Sequence, residues 1–317
     1  MISNKMSEKY HHVPVMSDEV IDYLKCRSGK KYVDCTLGGA GHSKRIEQAI
    51  MPDGQLIAVD QDIEALYNAQ AILKKKTILV HENFKNVRLI LDQLGIDTVD
   101  GIIADLGISL FHIQQSGRGF SFMKSEPLDM RMNPHAKIKA KDLIANLSEQ
   151  DLANLFWRNG EERYSRQIAK KVVQIRSINP IETTTHLCDI IEDAIPLKIQ
   201  KRMHIHPATR IFMALRIAVN AELDCIEIFL ENVLSCLNPG GRLCMISFHS
   251  LEDRLIKHCM RKWENPCSCP KDLPECVCKK KPRGICINRK GLTATDDEIK
   301  QNPMARSARL RVFEKHF

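Results

Sequence analysis

Three groups of residues in this sequence have the types and spacing to do chemistry. The first is VDCTLGGAGHSKRI at 33–46, where apolar residues run into Gly38, Gly39 and Gly41 and then into a polar, helix-compatible segment. A strand, a tight loop and a helix read this way when a cofactor lies across the turn. The dinucleotide pattern G-x-G-x-x-G is met at Gly39 and Gly41 but fails at its third position, Lys44, which weighs against a nicotinamide cofactor. The second is Asp60, which closes the next apolar run. A carboxylate there can accept both hydroxyls of a ribose, or it can cap the following helix. The third is CSCPKDLPECVC, where Cys267, Cys269, Cys276 and Cys278 form two C-x-C pairs. Four thiolates suit a tetrahedral zinc ion, although C-x-x-C is the commoner spacing and free thiols are the alternative.

These residues need elements to hold them. Strand-like runs occur at KKYVDCTL, GQLIAVDQD, KTILVHENF and VDGIIADLG, and after a long gap at GGRLCMISFHS. Helical periodicity separates the first three, as in SKRIEQAI and IEALYNAQAILKKK. Alternation of this kind predicts a parallel α/β sheet. One crossover helix would suffice between the fourth and fifth runs, yet the gap runs from Asp105 to Gly241. Its signals are helical. Ser148 and Asp151 form a capping pattern, Asn159-Gly160 is a candidate break, and Pro196 closes HLCDIIEDAI. ATRIFMALRIAVNAELDCIEIFLENVLSCL reads as a long or broken helix returning to the sheet. The domain expectation is therefore 1–109 for the first part of the sheet, 110–215 for an inserted helical domain, and 216–317 for the rest with its tail. SLEDRLIKHCMRKW predicts a helix, and GICINR with ARLRVFEKH predicts a closing strand pair.

The 317 residues carry 44% apolar side chains, enough for a core, and a net charge of +8. That charge suits a nucleic-acid partner but is shared by many soluble enzymes. No apolar run of about 18 residues predicts a membrane span. The polar start MISNKMSEKYHHVP reads as no signal peptide, so a cytoplasmic, reducing setting is expected. The eight cysteines outside the cluster read as small buried hydrophobes.

The glycine loop, Asp60 and LNPGGRL in order resemble class I methyltransferases, whose cofactor is S-adenosylmethionine. A closer resemblance follows from HVPVMSDEV, DCTLGGAGHS, ADLGIS, RGFSF, PLDMRM, GEERYSRQIA, HPATRIFMALRIAVNAEL, SFHSLEDR and NPMARSARLR, which run in order nearly end to end. They are similar to the RsmH (MraW) family, which methylates N4 of a cytosine in the decoding centre of 16S rRNA. The resemblance implies an α/β fold: a class I, Rossmann-like methyltransferase sheet with a helical insertion after strand four. It implies cofactor contacts at Ala40, Gly41, His42, Asp60, Phe84, Asp105 and His112. His112 and Met213 stand where the family commonly has glutamine, and Leu110 and Gln114 replace a usual serine and aspartate.

Cytosine N4 is a poor nucleophile because its lone pair is delocalised into the ring, so acceptors must hold its two N–H groups and turn that pair toward the methyl donor. Asp105, at the end of strand four, is where related amino-methyltransferases place such acceptors, although their PPY signature is absent. It could hold the cofactor, the target amine or both, or be structural. His249 ends strand five and should face the same crevice, as a substrate contact or a satisfied core histidine. Asp129, Arg131, Arg210 and Asn220 lie in family motifs as substrate contacts or as ion pairs bracing the insertion. The basic runs KIQKRMHIHPATR and KKKPRG suit RNA, and Phe120 and Phe122 could stack on a flipped base or pack in the core. The implied partner is 16S rRNA in the small subunit. The rival readings are a methyltransferase on another nucleic acid or a protein, an NAD-dependent oxidoreductase, and a non-catalytic RNA-binding assembly factor.

Overall fold

The computed structural model describes residues 14–270 and 277–316. Contacts divide the chain into two compact units, one formed by 1–107 with 229–317 and the other by 108–228.

The first unit begins with α1 (Ser17–Leu24) and β1 (Lys31–Asp34), then α2 (Gly41–Ala49), β2 (Gln55–Asp60), α3 (Ile63–Gln70), β3 (Ile78–His81), α4 (Val87–Gln93) and β4 (Val99–Asp105). The apolar runs become strands because their side chains are covered on both faces, as Val33, Ile57, Val59, Ile102 and Ile103 are. The α3 helix stops at Gln70, short of the predicted IEALYNAQAILKKK. A tertiary contact explains this. The buried Glu47 accepts from Lys74 N at 2.9 Å and from Thr77 Oγ1 at 2.6 Å, and so holds the chain off the helical path.

The second unit is helical: α5 (Leu110–Gln114), α6 (Ala140–Asn146), α7 (Glu149–Gly160), α8 (Ser165–Arg176), α9 (Thr184–Ala194), α10 (Leu197–Gln200) and α11 (Ala208–Asn220). Its core gathers Phe156, Ile168, Leu187, Ile211 and Leu215. The expected break at Asn159-Gly160 is real. The α7 helix ends there with Glu161 left-handed at φ 50°, and a Cβ on Gly160 would lie 2.7 Å from Arg210 O, so only glycine lets α7 and α11 approach this closely. The predicted long return helix breaks at Ala221, φ 48°, before α12 (Glu222–Asn232).

The chain then re-enters the first unit with β5 (Leu237–Ser247), α13 (Ser250–Glu264), β6 (Gly284–Cys286), β7 (Leu292–Thr293), α14 (Asp296–Gln301) and β8 (Arg309–Lys315). The sheet order is β3-β2-β1-β4-β5-β8-β6, with β7 beside β8. The strands β1 to β5 are mutually parallel, and β8 runs antiparallel to β5, β6 and β7. The predicted closing pair is β6 with β8, and β7 is a third member without a sequence signal. No helix among the described residues is long and apolar enough to cross a membrane.

Candidate active site

Chain order reverses between β1 and β4, and the crevice of an open parallel sheet lies at such a switch point, beyond the carboxyl ends of the strands. The glycine loop sits there. Gly38 has φ 47° and Ala40 φ 60°. A left-handed alanine costs about 1–2 kcal/mol, so a buried Ala40 in that conformation marks a loop whose course is set by more than local preference. The α2 helix starts at the next residue, Gly41, with its free N–H groups at this end of the sheet.

Asp60 holds the loop in place. Gly38 N donates to its Oδ2 at 2.8 Å, and Asp62 N donates to its Oδ1 at 2.8 Å. The carboxylate thus links the ends of β1 and β2, and any ribose contact would use its remaining lone pairs. Phe84 follows β3 in a turn tied to β2 by Glu82 N donating to Asp60 O at 3.1 Å. Its half-buried ring meets Phe229 edge-on, centroids 5.3 Å apart.

His42, on the first turn of α2, is 5% exposed. Its Nε2 lies 3.5 Å from Asp105 Oδ2. Neither ring nitrogen makes a hydrogen bond among the described residues, and neither does the buried Asp105 Oδ1. Buried polar atoms are nearly always satisfied, so these unpartnered atoms at the switch point mark a place for a polar ligand. A donor and acceptor set of this kind, beside a helix N-terminus and a ribose-reach carboxylate, fits the amino-acid and nucleoside ends of S-adenosylmethionine.

Asp34 is a residue that the motif reading passed over. It is 1% exposed. Ser43 Oγ donates to its Oδ2 at 2.6 Å and Thr36 N to its Oδ1 at 3.1 Å, while Asp105 N donates to Thr36 Oγ1 at 2.7 Å. Burial pushes the Asp34 carboxyl above its ordinary pKa, against the lowering effect of the Ser43 bond and of nearby His42. The chain Ser43–Asp34–Thr36–Asp105 fixes the backbone under the crevice. Its one signal in the sequence was an acid closing an apolar strand.

His249 is not on β5. That strand ends at Ser247, and His249 is the N-cap of α13. Its Nδ1 accepts weakly from Glu252 N at 3.5 Å, and its Nε2 lies 3.2 Å from Glu252 Oε1. Glu252, 1% exposed, also accepts from Phe248 N at 2.8 Å. The Nδ1 atom thus caps a helix, while the buried Nε2 makes no hydrogen bond among the described residues.

The other sequence candidates belong to the second unit. His112 lies in α5, and its Nδ1 accepts from Ser109 N at 3.3 Å in a reciprocal cap. Its ring centroid is 5.0 Å from that of Phe120. Arg131 Nε and Nη2 donate to Asp129 Oδ1 and Oδ2 at 2.6 and 2.7 Å, and Arg131 Nη1 donates to the carbonyls of Pro134 and Ala136 at 2.7 and 2.6 Å. Burial alone would raise the Asp129 pKa, but the bonds and charge of Arg131 outweigh it and hold the carboxyl below its ordinary value. Arg210 Nη1 donates to Glu161 O at 3.2 Å. Asn220 accepts from Met132 N and donates to Met130 O and Arg216 O, each at 2.8 Å. Phe120 is buried, and Phe122 stacks on His206 with centroids 4.6 Å apart.

Cys267, Cys269 and Cys278 draw together in the loop after α13, and Cys276 lies outside the described residues. Of the other eight cysteines, Cys35, Cys188, Cys225, Cys236 and Cys244 are buried and Cys26, Cys259 and Cys286 half-buried. Beside this loop an open groove of about 580 Å³ is lined by Lys257, Arg261, Lys262 and Lys280 among others.

A parallel sheet reversing between β1 and β4, a strained glycine loop over it and an antiparallel closing strand define a class I, Rossmann-like methyltransferase fold carrying a helical insertion after β4. The chain belongs to the MraW methylase family, whose model matches residues 9–316. It is 48% identical to the ribosomal RNA small subunit methyltransferase H of Desulforapulum autotrophicum, over 96% of this chain and 98% of that protein. It is 43% identical to the protein of the same name from Finegoldia magna, over 97% of this chain and 99% of the relative. Among solved structures, Aeropyrum pernix fibrillarin with bound S-adenosyl-L-methionine aligns at a TM-score of 0.40 and 8% identity, over 93% of this chain and 74% of that one. So loose a likeness adds no weight to the family assignment.

Proposed function

We propose that this protein uses S-adenosylmethionine to methylate the exocyclic N4 of a decoding-centre cytosine in 16S rRNA of the small ribosomal subunit. The observation that carries the reading is the set of buried, unpartnered polar atoms on His42 and Asp105 at the switch point. Family membership along the whole chain, with relatives named as rRNA small subunit methyltransferases, supports the substrate class.

When bound, S-adenosylmethionine supplies an electrophilic methyl group on a sulfonium. The chain's own residues must hold it and present the amine. Asp60 and Phe84 take the adenosine end, and the 40–42 backbone and His42 take the amino-acid end. Asp105 is the acceptor for the cytosine amine: a carboxylate oxygen with no competing bond can take an N–H and turn the nitrogen lone pair out of the ring plane. No strong base is needed, because the methylated amine is acidic enough to lose its proton readily. Asp129, Arg131, Arg210 and Asn220 already engage the second unit's own backbone and side chains, which favours positioning of the RNA-binding surface over contact with the base.

The test is a nucleoside mass map of 16S rRNA from cells with and without the gene, paired with turnover of purified protein on 30S particles and on naked rRNA. Loss of one N4-methylcytidine and its restoration in vitro are expected. An unchanged map sinks the substrate assignment. Binding to the particle without turnover on either substrate would make the protein a non-catalytic assembly factor, and binding of NAD in place of S-adenosylmethionine would return it to the oxidoreductases.

A further inference from the structure

Between the end of α13 at Glu264 and the start of β6 at Gly284, the described residues contain neither helix nor strand. Structureless loops longer than about 12–15 residues are uncommon in compact domains unless something holds them. The base of this one is fixed. Arg283 N donates to Trp263 O at 2.8 Å, and Cys286 N donates to Glu264 Oε1 at 3.1 Å. Beyond the base the described residues offer no apolar anchor. No hydrophobic side chain between Trp263 and Gly284 is buried among the described residues, and Val277 is 69% exposed.

What the loop has instead is a knot of thiols. The Sγ atoms of Cys267, Cys269 and Cys278 all lie within 4.8 Å of one another. They come from two arms of the loop, and Lys280 Nζ donates to Ser268 Oγ at 2.9 Å across the same arms. Zn–S bonds of about 2.3 Å in a tetrahedron place the sulfurs about 3.8 Å apart, which this cluster accommodates. Soft thiolate donors select zinc or a similarly thiophilic ion over hard cations. The run Lys279, Lys280, Lys281 and Arg283 follows Cys278 in the sequence and offsets the negative charge a thiolate-bound zinc site would carry.

We infer that Cys267, Cys269 and Cys278 hold one structural zinc ion, which anchors the loop after α13. On binding, the three thiols release their protons and each sulfur donates a lone pair to the ion, leaving one tetrahedral position for a further donor. Nothing is oxidised or reduced. The site is structural, since no group of the candidate active site belongs to this loop.

The experiment uses the full chain, purified under reductant without chelator and desalted. Elemental analysis should find about one zinc per chain, released when a mercurial blocks the thiols. Cys278→Ser should lower the content at least about tenfold, while Cys188→Ser, in the second unit, should keep it. Should Cys278→Ser fail to fold, the wild-type chain still decides. Stripped of metal and loaded with cobalt(II), it should show the sulfur charge-transfer band and intense d–d bands of a tetrahedral thiolate site. Wild-type protein without stoichiometric zinc and without that cobalt spectrum overturns the inference. So does a disulfide between these cysteines, found by mass in protein kept under reductant.

Discussion

Two carboxylates, one in each unit, meet opposite fates: Asp34 is fully buried and Asp129 half-buried. Asp34, beneath the crevice of the first unit, is buried among neutral donors, Ser43 and Thr36, and its pKa is raised. Asp129, in the second unit, is clasped by both arms of a guanidinium, and its pKa is lowered. The difference extends to their surroundings. At the crevice, His42 and Asp105 keep unpartnered polar atoms, whereas Asp129, Arg131, Arg210 and Asn220 spend their polar atoms on their own unit. Glu162 is an exception there, with one unpartnered oxygen. A family motif alone does not tell binding from bracing; the satisfaction of its polar atoms does. The crevice holds polar atoms in reserve, as a ligand site must, at a cost in stability that the helical unit avoids.

The strongest way to break this comparison is Asp105→Asn. The amide keeps the size but opposes a donor to the cytosine N–H. Turnover at saturating cofactor should fall on the order of a hundredfold, about 2.7 kcal/mol, as for loss of one preorganised contact. The melting temperature should stay near that of wild type, because Oδ1 supports no bond in the fold. Single-turnover kinetics on 30S particles, with cofactor titrated, checks this. A loss rescued by cofactor would move Asp105 to cofactor holding alone, and wild-type rates at every concentration would remove it from the site.

Asp129→Ala should show the reverse pattern. It leaves Arg131 without its bidentate partner in a mostly buried setting, at about 2 kcal/mol of stability. Because the folded pKa of Asp129 is depressed, its contribution is fully present above the unfolded value of about 4 and is lost as pH falls through the folded value. Denaturant unfolding of wild type and variant across acid pH should therefore show the gap closing toward low pH. A gap independent of pH would mean that the ion pair is not its source.

The smallest effect is expected for Asp34→Asn. An asparagine can accept from Thr36 N and donate to Ser43 Oγ, which keeps the network while removing a buried charge. The folded pKa is raised, so the wild-type contribution is full below the unfolded value and declines as pH rises through the folded one. The variant should match or exceed wild-type stability by up to about 1 kcal/mol at neutral pH, with the advantage shrinking toward pH of about 4. A loss of stability at neutral pH would show that the network needs the charge.

The sequence by itself determined the parallel strands, the glycine loop and two helix stops. These rest on local signals: the apolar runs at 33, 57 and 102, the breaks at Gly160 and before Pro196, and the alternation of strand and helix that makes a parallel sheet. The family, too, was legible, because its motifs are strings of neighbouring residues. Tertiary structure alone decided what those side chains do. It carried β8 between β5 and β6, ended β5 before His249 and made that residue a cap, and ended α3 early through Glu47. It also joined Asp34 to Asp105 through Thr36, and Asn220 to Met130 across the helical unit. The reason is physical. Periodicity and turn chemistry act over a few residues, but whether a buried polar atom has a partner depends on groups brought together from distant parts of the chain, and no local pattern records that.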